Sequence, residues 1–243
     1  LMEGYETAIG VCGTHGKTST TSMLSQVLME CGKDPTIHIG GNLDFIGGST
    51  RIGKSHTFLA EACEFNASFL HLRPTVAVVT NIEEDHLDFY KDIDDIQQTF
   101  GKFLALLPEK DGLAVGNGDD PRVVEELEKL RCRHYTFGFG EGCDYRPVNL
   151  RYSELGCGEY DLSFRDEELG HVKLKVAGFF QVANSLAALG CAHQLGADMA
   201  VACRALDEFA GAHRRFELTG VVEGVKLYHD YGHNPTEMRN ALS

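Results

Sequence analysis

The stretch GVCGTHGKTST, residues 10–20, decides how the rest of the chain is read. It has the glycines, the lysine and the threonines of a loop that grips phosphate. The common form of that loop is G-x-x-x-x-G-K-[ST], and here Val11 stands where the first glycine belongs. Context supports the reading. The apolar run TAIGVC (7–12) precedes the loop and reads as a short strand. After it, Met23, Leu24, Val27, Leu28 and Cys31 share one face of a helix that Gly32 stops. Strand, glycine loop and helix in that order let backbone N–H groups turn toward an anion at the helix start. Lys17 then places an ammonium on the outer phosphates, and Thr18 a hydroxyl on Mg²⁺. The competing reading is a Gly-rich turn with a surface lysine, which the intact G-K-T core and its setting disfavour.

Working outward, strands and helices alternate. HTFLAEAC (56–63) and TVAVVTNI (75–82) read as buried strands. Ile93, Ile96, Phe100, Phe103 and Leu107 recur at helical spacing, GLAVGN is a further strand, and PRVVEELEKL is a helix that begins on proline. This order predicts an α/β fold with a mostly parallel sheet flanked by helices. Past about residue 140 the pattern changes. EYDLSFRDEELGHVKLKV predicts an antiparallel β-hairpin, and two helices follow near 179–195 and 198–209. RRFELTGVVEGVKLYHDYG predicts a second hairpin turning at Glu223-Gly224, and PTEMRNALS reads as a helix barely begun.

Composition narrows the function classes. The 243 residues carry 22 Lys plus Arg against 36 Asp plus Glu, a net charge of −14. That balance argues against nucleic acid as a partner and means that an anionic ligand needs local cations or a metal. No apolar run approaches the ~18 residues that span a bilayer. LMEGYETAIG lacks the basic and apolar regions of a signal peptide, so no membrane partner is expected. None of the eight cysteines forms a C-x-x-C pair, which predicts buried reduced thiols in a cytoplasmic protein, with neither a zinc site nor a disulfide framework.

Two more polar clusters fall at predicted strand ends, where open parallel sheets bind ligands. In EACE (61–64), Glu61 is a metal-binding carboxylate or a solvated charge. In TNIEEDHLD (80–88), Asn81, Asp85, His86 and Asp88 crowd one loop, with His86 a metal ligand or a hydrogen-bonded loop histidine.

The ordered set G-T-H-G-K-T, E-A-C-E and N-I-E-x-D-H-L-D resembles the Mur ligase family of ATP-dependent amide-bond-forming enzymes. GAHRRFE (211–217) and DYGHNPTE (230–237) add to the likeness, which covers most of the chain and is weakest near 140–175. In that family the phosphate loop has the shortened form G-T-x-G-K-[ST], so Val11 is no departure.

The resemblance implies a P-loop NTPase-like core, with residues 1–212 as the central ATP-binding domain and 213–243 as a truncated start of the C-terminal ligase domain. The uridine-binding domain is expected to be missing. The branch most resembled joins L-alanine to UDP-N-acetylmuramate in peptidoglycan precursor synthesis, with ATP and Mg²⁺. This chain alone is expected to bind ATP without ligating.

By the same resemblance, Gly13, Thr14, His15, Gly16, Lys17, Thr18 and Ser19 would cradle the phosphates, and Asn42 would lie near the γ-phosphate, in the stretch IGGNLDFIGG that its residues alone predict to be a turn-rich loop. Thr18, Glu61 and His86 would hold metal. Asn184 would read the adenine edge, Arg215 neutralise phosphate charge, and Asp230 bind the ribose. Tyr231 and His233 would sit near the incoming amino acid. Lys17, His86, Arg215 and His233 form the catalytic set.

Two departures stand out. Phe180-Gln181 replace the His-Asn usual before the adenine-reading helix, and Lys102 is out of register for the family's carbamylated lysine. The alternatives are a relative that attaches a whole peptide to the same sugar nucleotide, and a nucleotide-binding module that does not ligate.

Overall fold

A computed structural model describes residues 2–213, 215, 217–232, 238 and 239. The strands are β1 (Thr7–Cys12), β2 (Thr36–Leu43), β3 (Gly48–Arg51), β4 (Thr57–Glu61), β5 (Val76–Val79), β6 (Leu113–Asn117), β7 (Arg133–Phe137), β8 (Tyr145–Tyr152), β9 (Cys157–Phe164), β10 (Glu167–Ala177), β11 (Glu217–Val222) and β12 (Val225–His229). The α-helices are α1 (Lys17–Glu30), α2 (Ile93–Leu104), α3 (Pro121–Glu128), α4 (Phe179–Gln194) and α5 (Met199–Asp207).

Ten strands form one sheet in the order β10-β9-β8-β7-β6-β5-β1-β4-β2-β3, and β11 and β12 form a separate two-stranded sheet. The centre is parallel: β1 lies between β4 and β5, with Val11 opposite Glu61 and Cys12 opposite Val79. That register carries the phosphate loop, EACE and TNIEEDHLD to one sheet edge.

Central strands are apolar throughout because both faces are covered. On β1, Ile9 and Val11 join the core under α1, α4 and α5. Cys12 points the other way, into the core with Phe100 and Phe103 of α2 and Val123 of α3. Burial there pushes its thiol well above the usual range.

Three features differ from the sequence reading. The hairpin around 159–176 extends the main sheet: β9 pairs with β8, and β8 meets β7 at Phe137 and Tyr145. IGGNLDFIGG, a turn-rich loop by its glycines, supplies the end of β2, a 3-10 turn and the start of β3. Helix α1 buries more than one face, because α4 and α5 pack on it as well as the sheet. Its buried Thr21, Ser22 and Ser25 hydroxyls donate to the carbonyls of Lys17, Thr18 and Thr21, at 2.8, 2.6 and 2.7 Å. Of the cysteines, Cys12, Cys132, Cys143, Cys191 and Cys203 are buried, whereas Cys63, just beyond the end of β4, is exposed. Among the described residues no helix is long and apolar enough to cross a membrane.

Candidate nucleotide site

The loop between β1 and α1 is held open from below. Gly13 has φ 138°, and a Cβ built there would lie 1.9 Å from Thr80 Oγ1. Gly16, at φ 82°, would drive a Cβ to 2.5 Å from Asn184 Oδ1. Only glycine fits both the backbone and the space. The neighbouring strand end braces the loop. The His15 amide donates to Asn81 Oδ1 at 2.8 Å, Asn81 Nδ2 donates to the His15 carbonyl at 3.1 Å, and the Thr14 amide donates to the Asn81 carbonyl at 3.1 Å. Thr14 Oγ1 accepts from the Glu83 amide at 2.9 Å. Asn81 is therefore a brace for the loop, a role its sequence context did not reveal.

Helix α1 starts on Gly16 with no side-chain cap and no acid in its first turn. Its first N–H groups are thus left for an anion, favoured by the helix dipole. Lys17 Nζ lies 2.9 Å from Glu64 Oε1, with the lysine side chain 13% and the glutamate 3% exposed. Thr18 Oγ1 lies 3.0 and 3.2 Å from the two oxygens of Glu61, whose Oε2 also accepts from the Gly40 amide at 2.9 Å. Arg215 Nη2 donates to Thr18 Oγ1 at 3.1 Å, and its guanidinium lies 5.6 Å from the Tyr231 ring centre.

A cleft of about 320 Å³ opens beside the loop. His15, Gly16, Thr18, Ser19, Asn184, Arg215 and Asp230 line it, together with Phe139, Phe179 and Phe180. Asn184 packs against Gly16, accepts from Thr20 Oγ1 at 3.3 Å and donates to Gln181 Oε1 at 3.2 Å. Gln181 thus partners Asn184, while Phe180 faces the cleft. Asn42 lines a neighbouring cleft with Thr18, Gly40, Arg215 and Tyr231, and its carbonyl accepts from the His213 amide at 3.3 Å.

The structure brings Thr18, Glu61 and Arg215 into contact, whereas His86 lies against Glu64, the partner of Lys17. His86 Nε2 is 3.8 Å from Glu64 Oε1, its Nδ1 3.9 Å from Asp85 Oδ1, and its ring 4.9 Å from that of Phe65. His233 lies outside the described residues. Lys102 is exposed on α2. Among the described residues no group of three or more His, Cys, Asp and Glu side chains is placed to hold a metal. Thr18 with Glu61 nonetheless suits Mg²⁺, which commonly takes one or two carboxylates and completes its shell with substrate phosphates and water.

Three features were missed from sequence. Glu64 passed as the end of EACE; its signal was an acid three residues from Glu61 across a strand end. Gly40 offers its amide to Glu61 from a strand that read as loop. The aromatic wall of Phe139 and Phe179 draws on distant segments and left no local signal.

Comparison with known proteins places the chain in a family. Residues 11–192 match the family model described as Mur ligase middle domain. The chain is 41% identical over 242 residues to UDP-N-acetylmuramate–L-alanine ligase of Caldanaerobacter subterraneus subsp. tengcongensis, covering 100% of this chain and 52% of that protein. It therefore spans about half the length of the curated relatives it matches. The crystal structure of UDP-N-acetylmuramate-alanine ligase from Thermotoga maritima superposes with a TM-score of 0.83 at 29% identity, over 99% of this chain and 54% of that one. The structure of UDP-N-acetylmuramate:L-alanyl-gamma-D-glutamyl-meso-diaminopimelate ligase from Neisseria meningitides gives 0.75 at 30% identity, over 86% of this chain and 67% of that one.

Proposed function

This chain belongs to the Mur ligase family, and from that premise we propose that it is the ATP-binding part of a ligase joining L-alanine to UDP-N-acetylmuramate. The observation that carries the reading is the uncapped start of α1, where Lys17 and Thr18 meet Glu61, Glu64 and Arg215 beside a cleft. In the reaction, the sugar nucleotide's carboxylate takes the γ-phosphoryl group of ATP, giving an acyl phosphate and ADP. The amine of L-alanine then displaces phosphate and forms the amide. Such chemistry asks the protein mainly to position groups and neutralise charge.

Lys17 and Arg215 supply positive charge that the acidic chain otherwise lacks, and the α1 amides add theirs. Thr18 and Glu61 would hold Mg²⁺, which when bound contributes further charge at the outer phosphates. Asn184 and the aromatic wall line the cleft where a base would lie, and Asp230, which lines the same cleft, would bind the ribose. His86, beside Glu64, fits a metal role only through a second ion or a shift of its ring. Residues 1–212 would act as the central domain and 213–243 as the start of a further one, in a cytoplasmic protein.

The 30% identity to the Neisseria ligase supports a second reading, in which the group added is a peptide. Phosphate release decides between them, measured with ATP, UDP-N-acetylmuramate, and either L-alanine or the tripeptide, on this segment within a polypeptide of the relatives' full length. Release with L-alanine supports the first reading, and release with the tripeptide alone supports the second. Release with neither, despite nucleotide binding, favours the module that does not ligate. The 243-residue chain alone is expected to bind ATP and release no product.

A further inference from the structure

Lys17 has three ammonium hydrogens, and the structure gives it three acceptors inside the protein: Gly13 O at 2.6 Å, Thr14 O at 3.0 Å and Glu64 Oε1 at 2.9 Å. A phosphate can take this ammonium only in exchange for one of them. Two are carbonyls of the loop itself and leave only if the loop is rebuilt. The third is a carboxylate on a separate segment.

Glu64 is firmly placed. It is 2% exposed, and its backbone carbonyl accepts from the Ala67 amide at 2.8 Å and from the hydroxyl of buried Tyr90. Its Oε2 is buried with no hydrogen-bond partner among the described residues. The Lys17 ammonium, at 2.9 Å, is the nearest cationic group to this carboxylate, with His86 Nε2 farther off at 3.8 Å from the same oxygen. Incoming phosphate competes for that ammonium and is repelled by the carboxylate.

We propose that Glu64 is an affinity-setting counter-ion: it holds Lys17 in the nucleotide-free chain, and a nucleotide's phosphate must displace it. The proposal rests on the nucleotide reading above. An interaction made only in the free state subtracts from apparent affinity. Removing the charge should therefore weaken the free protein and tighten nucleotide binding at once. A merely structural Glu64 would lose both together.

The test compares wild type with Glu64→Gln, using calorimetric titration with ADP and ATP in a chelator, so that metal bound near Glu61 or His86 does not enter. Thermal unfolding without nucleotide is the second readout. We expect a lower unfolding midpoint and about tenfold tighter binding. Glu64→Asp, which keeps the charge but withdraws it by one methylene, should fall between. Equal or weaker binding by Glu64→Gln overturns the proposal while leaving the nucleotide reading intact. A wild-type chain that binds neither nucleotide overturns both. Should Glu64→Gln not fold, Glu64→Asp decides: tighter binding supports the proposal, and equal or weaker binding overturns it.

Discussion

Helices α2, α3 and α5 begin differently from α1 and α4. Each of the first three starts on an aspartate that caps its own helix. Asp92 accepts from the Asp95 amide at 3.0 Å, Asp120 from Arg122 at 2.9 Å, and Asp198 from Ala200 and Val201 at 2.9 and 3.2 Å. Helices α1 and α4 start on Gly16 and Gly178, with no side-chain cap and no acid in the first turn. First-turn residues of both uncapped helices line the main cleft, and none from the capped three do. Where a helix must stabilise its own end, the sequence places a carboxylate worth about 1 kcal/mol. Where it opens on the cleft, no side chain caps the donors, and on the proposed function a carboxylate there would compete with phosphate.

The largest effect expected is from Lys17→Ala. It removes the cation of the uncapped start and leaves Glu64 buried without its partner. Breaking a buried pair from one side costs about 3–5 kcal/mol. Denaturant unfolding should show that loss, and calorimetry should find no ATP binding at millimolar nucleotide. Wild-type affinity would remove Lys17 from the site.

Next is Gly16→Ala. With φ at 82° and Asn184 Oδ1 2.5 Å from the new Cβ, the loop must distort and α4 must yield. A stability loss of about 1–3 kcal/mol is expected from the backbone alone, together with weaker nucleotide binding. An unchanged protein would show that the close fit of α1 to α4 is dispensable.

Asp92→Ala sharpens the comparison from the other side. Losing this cap should cost about 1 kcal/mol in denaturant unfolding while nucleotide affinity stays as it was. Altered affinity would mean that the capped helices are tied to the cleft after all.

The smallest effect concerns the approach to Arg215. The His213 ring lies between Asp44 Oδ1 at 2.7 Å and Glu217 Oε1 at 2.9 Å, and these carboxylates raise its pKa. The folded state therefore binds the proton more tightly than the unfolded one. The stabilisation is fully present below the unfolded histidine value and lost as pH rises through the higher folded one. His213→Gln should flatten this part of the stability profile, read by thermal unfolding between pH 5 and 9. The same slope in the variant would assign it to another group, such as His171, which Asp161 and Glu159 raise likewise.

Much of the site was legible because its residues cluster in sequence at strand ends. Gly13 to Ser19, Glu61 and the Asn81–His86 loop each follow an apolar run, and a parallel sheet brings such ends together. What was illegible depends on packing partners. The apolar residues of α1 mark one face, yet Ser22 and Ser25 are buried too, because hydroxyls that bond their own helix can pass as core. The glycines of IGGNLDFIGG hid strand β2, whose pairing with β4 puts the Gly40 amide on Glu61.

The sequence by itself determined the α/β order, the glycine loop between strand and helix, and the hairpins, because these follow from local chemistry: apolar period and glycine freedom. Only the tertiary structure decided which acid goes with which partner. Glu61 and Glu64 are three residues apart, yet one meets Thr18 and the other Lys17, the next residue back along α1. That division depends on the register of β4 against β1 and on the turn at Glu64, which aims two neighbouring carboxylates at different points, and register is set by long-range pairing that no short window contains.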